Sequence, residues 1–133
     1  MFTLELVTYK GVYRKINAQS CNLPTPDGRR GILPNRMPIM LPISIGVVSV
    51  LEEDNVRRRY TVSEGIFYIG NNRATLLADN IEDVDLIDID RARTSEAKAR
   101  KRLKSSDRDA DIHRAQIALM KAINRIKAKE SDL

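Results

Sequence analysis

The chain has 133 residues, a formal net charge of +5, one cysteine, one histidine and no tryptophan. That length allows one domain with a small appendage, and a lone cysteine excludes an intramolecular disulfide or a cysteine-based metal site. Met1-Phe2-Thr3-Leu4 lacks the charged segment of a signal peptide, and the most apolar stretch, residues 39–51, is broken by Pro42 and Gly46 and too short to cross a bilayer, so a soluble, intracellular chain is expected.

Residues 1–85 read as strands. Phe2, Leu4 and Leu6 alternate with Thr3, Glu5 and Val7, the period of a half-buried strand. Residues 24–38 then hold four prolines and two glycines. Proline fixes φ and glycine supplies left-handed geometry, so Pro26-Asp27-Gly28 marks a turn and the whole segment a rigid, shaped loop. Ile32-Leu33 reads as a very short buried strand within it. From these residues alone the loop is equally a structural corner or a functional one. Glu52-Glu53-Asp54 reads as a solvated turn and Glu82-Asp83 as a linker. In residues 56–62, Val56, Tyr60 and Val62 share one face, with Arg57, Arg59 and Thr61 on the other. Turn signals recur at Lys10-Gly11, Asp27-Gly28, Asp54-Asn55, Glu64-Gly65 and Gly70-Asn71-Asn72, which suggests a sandwich or barrel.

From Ile87 the period becomes helical, and no proline or glycine follows Gly70. Asp88 or Asp90 can cap a first helix; Ser105-Ser106 marks a break; Asp107 or Asp109 can start a second. The second helix carries a stripe of Ile112, Ala115, Leu119, Ala122 and Ile126, widened by Ala118 and Ile123. The first helix is poorer, with Ile89, Ala92, Glu96, Ala99 and Leu103. An alanine-rich seam buries little area, so the hairpin is expected to be marginal and mobile. Residues 1–85 carry no net charge, and the whole excess of +5 lies in residues 86–133. Such asymmetry fits either an acidic partner or a solvated helix face.

His113, inside the second helix, has no nucleophile or metal partner near it in sequence and reads as structural. No phosphate-loop, dinucleotide or zinc motif is present, so an enzyme is not expected. The basic run Lys98 to Lys104 lies in a segment without aromatic residues for base stacking, which argues against nucleic acid and for an acidic protein surface.

The loop resembles the signature of the ε subunit of F-type ATP synthases, P-T-x-x-G-x-x-G-I-L-P-x-x-x-P, and the resemblance extends over nearly the whole chain. Gly46-Val47-Val48, Leu76-Leu77-Ala78-Asp79 and Ile87-Asp88-Ile89-Asp90-Arg91-Ala92 fall in the family's order. The resemblance implies a β plus α fold: an N-terminal antiparallel β-sandwich of two five-stranded sheets (1–85), then a C-terminal antiparallel α-helical hairpin (86–133). It implies a non-catalytic rotor subunit on the cytoplasmic face of the bacterial plasma membrane, coupling c-ring rotation to the catalytic head without inserting into the membrane. The sandwich would join the γ subunit to the c-ring, with loop residues Arg29 and Arg36 at the ring. The family often has an acidic residue and a histidine near these positions, so its own salt bridge does not carry over. The hairpin would meet the α and β subunits and brake hydrolysis through Arg91, Arg93, Arg100, Lys101, Arg102 and Lys104. No cofactor is required; regulatory ATP would be held by Ile87, Asp88, Arg91, Ala92 and Arg125, with Glu82 beside them. Lys98 and Lys121 replace arginines of ATP-binding members. A stand-alone ATP-sensing adaptor is the alternative from another class.

Overall fold

The computed structural model describes every residue except 106, 107, 132 and 133. Nine strands come first: β1 (Phe2–Thr8), β2 (Gly11–Thr25), β3 (Gly28–Ile32), β4 (Ile39–Ile43), β5 (Gly46–Glu52), β6 (Arg57–Val62), β7 (Gly65–Gly70), β8 (Arg73–Ala78) and β9 (Ile81–Asp83). A 3-10 turn (Val84–Leu86) leads into α1 (Ile89–Ser105) and α2 (Asp109–Glu130). The chain divides into two compact units, Met1–Asp83 and Val84–Leu133.

The first unit is a sandwich because β2 serves both layers. Its first half pairs with β1, from Phe2↔Ala18 to Thr8↔Gly11. Its second half pairs with β3 on one side (Cys21↔Ile32) and β5 on the other (Cys21↔Val50). The register shifts between Ala18 and Ser20, the kind of irregularity that bends a strand from one layer into the next. The layers are therefore β4-β7-β8-β1-β2 and β3-β2-β5-β6-β9, five strands each. One ladder departs from the antiparallel expectation: β1 runs parallel to β8 (Leu4↔Ala74, Leu6↔Leu76). Six strands separate them in sequence, so no hairpin forces them antiparallel.

Alternation along the strands builds the core. Leu4, Leu6, Phe67 and Leu76 from the first layer and Leu23, Val48, Val50 and Tyr60 from the second are fully buried in a single cluster. Each is worth about 1.5–3 kcal/mol of transfer free energy. Pro42, which cannot donate to a ladder, lies on β4 at the sheet edge, where this costs least. Asn71 and Asn72, at φ 53° and 58°, make the mirror-image turn that joins β7 to β8. Gly65 is required by close approach, since a Cβ there would lie 2.0 Å from the Leu77 carbonyl oxygen.

Three local expectations are corrected. Ile32 is buried at the end of β3, but Leu33 is 65% exposed, because the strand ends between them. Val56 precedes β6 and is exposed, and the inward position before Tyr60 is Arg58. Thr61, expected on the solvent face, is buried where β9 pairs over it (Thr61↔Glu82).

In the second unit, Asp88 caps α1: its Oδ1 accepts from the amides of Asp90 (3.0 Å) and Arg91 (3.2 Å), satisfying two donors that the first turn leaves open. Ala, Arg, Lys and Glu then propagate the helix with strong propensity. Asp109 starts α2, as one of the two candidates, and Arg108 holds the cap position without a side-chain bond. Ser106 and Asp107, the other candidates for the break and the helix start, lie outside the described residues. The helices run antiparallel, as the Arg93–Glu130 ion pair (2.9 Å) joins the start of α1 to the end of α2. Ala92 and Ala99 of α1 and Ala115 and Ala122 of α2 are buried, whereas Ile89, Leu103, Ile112, Leu119 and Ile126 are half-buried. Lys129 Nζ donates to the carbonyls of Val84 (3.4 Å) and Asp85 (3.1 Å), tying the end of α2 to the entry of its own unit.

Candidate functional site

The hairpin carries most of the candidate residues. At 100° per residue, Arg91, Lys98 and Arg102 run along one flank of the Ala92–Ala99 seam, and Arg93, Arg100 and Lys104 along the other. Lys101 points away from the seam, and all seven side chains are exposed. Two are engaged within the hairpin, Arg93 with Glu130 and Arg100 with Glu96 (3.3 Å). The hairpin thus presents two cationic stripes rather than one face.

The residues expected to hold ATP lie in different surroundings. Ile87 and Ala92 are buried, at 4% and 0% exposure, and contribute packing. The Asp88 carboxylate is occupied by its own helix N-terminus, with Arg91 exposed at the third helical position. Arg125 is half-buried on α2. Counted back from the Arg93–Glu130 pair at 1.5 Å per residue, Arg125 stands near the level of Lys98, roughly 10 Å along the axis from Arg91. That spacing suits an extended polyanion better than one phosphate. Glu82 belongs to the other unit, on β9, where its backbone oxygen accepts from Thr61 Oγ1.

The loop residues bond within their own unit. Arg29 folds back on its own sheet: Nη1 donates to the Val47 carbonyl (2.6 Å), and Nε donates to Asn22 Oδ1. Its partial burial pulls the guanidinium pKa below its ordinary value. Arg29 therefore joins β3 to β2 and β5. Arg36 is half-buried, and its Nε donates to the Met37 carbonyl (3.2 Å).

Two features escaped the sequence reading. The first is an apolar band across the outer face of the first layer. Pairing aligns Pro42, Ile66, Leu77, Val7 and Val12, with Ile66 and Leu77 each 50% exposed. Met40 and Tyr68 form the adjacent row. The second is an ion cluster around a buried carboxylate. Glu52, read as part of a solvated turn, is 6% exposed and faces inward after Val48 and Val50. Arg14 grips it with two bonds, Nη1–Oε2 at 2.6 Å and Nη2–Oε1 at 2.9 Å, and Arg58 adds a third at 3.0 Å. Arg14 also donates to the Tyr60 hydroxyl. Bonding to Glu52 raises the pKa of both arginines, and burial raises that of Tyr60. The parity of residues 48, 50 and 52 was the available signal.

Among the described residues, no group of His, Cys, Asp or Glu could hold a metal ion, and no helix is long and apolar enough to cross a membrane.

A sandwich followed by a helical segment is also the organisation of a known protein family. Residues 1–84 match the "ATP synthase, Delta/Epsilon chain, beta-sandwich domain" and residues 85–130 the "ATP synthase, Delta/Epsilon chain, long alpha-helix domain". The ATP synthase epsilon chain of Desulforamulus reducens is 38% identical over 127 residues, covering 96% of each chain. That of Caldicellulosiruptor bescii is 34% identical over 131 residues, covering 98% of this chain and 95% of its own. The chain belongs to the ATP synthase delta/epsilon family and stands among its epsilon chains. Its fold is similar to a chain of the Euglena gracilis mitochondrial ATP synthase, OSCP/F1/c-ring structure, with TM-score 0.79, 18% identity and coverage of 96% and 80%. It is similar also to a chain of the Tetrahymena thermophila mitochondrial ATP synthase central stalk and c-ring, with TM-score 0.66, 13% identity and 96% coverage of both.

Proposed function

We propose that the chain is a non-catalytic rotor subunit of an F-type ATP synthase, working on the cytoplasmic face of a bacterial plasma membrane. The sandwich joins the γ subunit to the c-ring, and the hairpin restrains ATP hydrolysis by reaching toward the α and β subunits. The observation that carries this reading is the contrast between the units: a sandwich with a continuous apolar core and almost no net charge, and a hairpin with an alanine seam flanked by exposed cations. Torque transmission needs the first, and a reversible charged arm needs the second.

The apolar band of Pro42, Ile66, Leu77, Val7 and Val12 suits a permanent partner such as γ. The cationic stripes of α1 suit an acidic segment of a catalytic subunit. ATP, held by Arg91 and Arg125 with Lys98 and Lys121 near them, would favour the compact hairpin by its differential affinity for that state.

The test is reconstitution. Membranes stripped of this subunit should lose ATP-driven proton pumping and regain it when the full chain is added in stoichiometric amount. Failure of the chain to co-purify with the membrane-bound complex would overturn the reading.

A further inference from the structure

Residues 33–38 connect β3 to β4 without regular secondary structure, yet they are tied down. The Asn35 amide donates to Asn72 Oδ1 at 2.7 Å, and Asn72 Nδ2 donates to Asn35 Oδ1 at 2.8 Å. The Asn72 carbonyl accepts from the Thr3 amide at 2.9 Å, which extends the tie to β1. The segment is thereby fixed to the first layer at the β7–β8 turn.

Both asparagines have left-handed backbones, φ 61° at Asn35 and 58° at Asn72. Asparagine tolerates that region better than other side-chain-bearing residues, and its amide offers donor and acceptor together. Glycine would satisfy the backbone and lose the clasp. Beside this clasp Leu33 is 65% and Met37 82% exposed, whereas Ile32, one residue before, is fully buried. Two large apolar side chains held toward solvent by reciprocal bonds add nothing to the core. They form a contact surface whose shape is set before any partner arrives.

We propose that Asn35 and Asn72 are positioning residues for coupling. Their clasp holds the loop in the one conformation in which Leu33 and Met37 engage the membrane ring, an inference that rests on the rotor reading above. Without the clasp the loop spreads over many conformers, and apparent affinity falls with the fraction that remains competent.

The experiment uses the full chain and two variants. Asn72→Gly keeps the left-handed backbone and deletes both side-chain bonds, and Asn35→Asp keeps both bonds. In the free chain, exchange of the Asn35 amide should quicken about tenfold in Asn72→Gly and stay near the parent rate in Asn35→Asp. In the reconstituted membrane complex, protons pumped per ATP hydrolysed should fall severalfold with Asn72→Gly and be preserved with Asn35→Asp. Unchanged amide exchange in Asn72→Gly would overturn the clasp, and a looser loop with undiminished pumping would overturn its positioning role. If the parent chain itself fails to restore pumping, the rotor reading fails, while the exchange result still decides whether the clasp holds the loop.

Discussion

Arg14 and Glu52 are 38 residues apart in sequence and meet through two parallel bonds of 2.6 and 2.9 Å. They join β2 to the end of β5, and Arg58 of β6 brings a second cation, which also pairs with Asp54 at 3.4 Å. A carboxylate this buried is tolerated only because both oxygens are occupied, and an amide in its place removes the counter-ion of two guanidinium groups and turns an N–H donor toward one of them. Glu52→Gln should cost about 2 kcal/mol and lower the sandwich melting temperature by roughly 10 °C, read by thermal circular dichroism. An unchanged melt would show that the cluster is decorative.

Alkaline pH should unfold the sandwich in a predictable window. Burial pushes the Cys21 thiol up to about 12, and burial also raises Tyr60. The folded state therefore keeps protons that the unfolded state releases, so stability is intact below the ordinary thiol pKa of about 8.5 and declines as pH rises toward 12. Native Cys21 should resist a thiol reagent at pH 9 and react only as the chain unfolds. Rapid labelling of folded chain would contradict this.

The alanine seam should set the stability of the hairpin. Ala99→Asp places a charge at a buried position and should abolish most helical ellipticity while the sandwich transition stays in place. Arg93→Gln, at an exposed ion pair, should cost less than about 1 kcal/mol. Equal effects from the two variants would mean that charge, not the seam, holds the helices.

ATP binding should depend on both helices. Calorimetric titration at millimolar ATP should give heat with the full chain and none with Arg91→Ala or Arg125→Ala. Lys98→Arg and Lys121→Arg should tighten binding severalfold, because guanidinium groups pair with phosphate oxygens in a two-pronged geometry that an ammonium lacks. Heat that survives loss of Arg91 would place any nucleotide elsewhere.

The layered β plus α architecture was legible in the sequence because its signals are local. Phe2, Leu4 and Leu6 alternate as buried residues do, and glycine or asparagine marks the turns at Gly11, Gly28, Asn55 and Asn71. The cap of α1 was legible to within two residues, Asp88 or Asp90, for the same reason, and the bonds select Asp88. Pairing across the chain was not. Nothing near Glu52 names Arg14 as its partner, and an acidic run beside Asn55 imitates a solvated turn. Nor does composition show that Arg29 bonds to the Val47 carbonyl, because the acceptor is a backbone oxygen that any residue would supply. The apolar band escaped because its members come from five strands, and only register brings them into line.

The central claim is that the sandwich couples and the hairpin restrains. It is tested most directly by ATP hydrolysis in a catalytic complex depleted of this subunit, supplemented with the full chain or with residues 1–86. Both should bind, and only the full chain should slow hydrolysis. Equal rates with both bound would contradict the claim and leave the cationic hairpin without an inhibitory role.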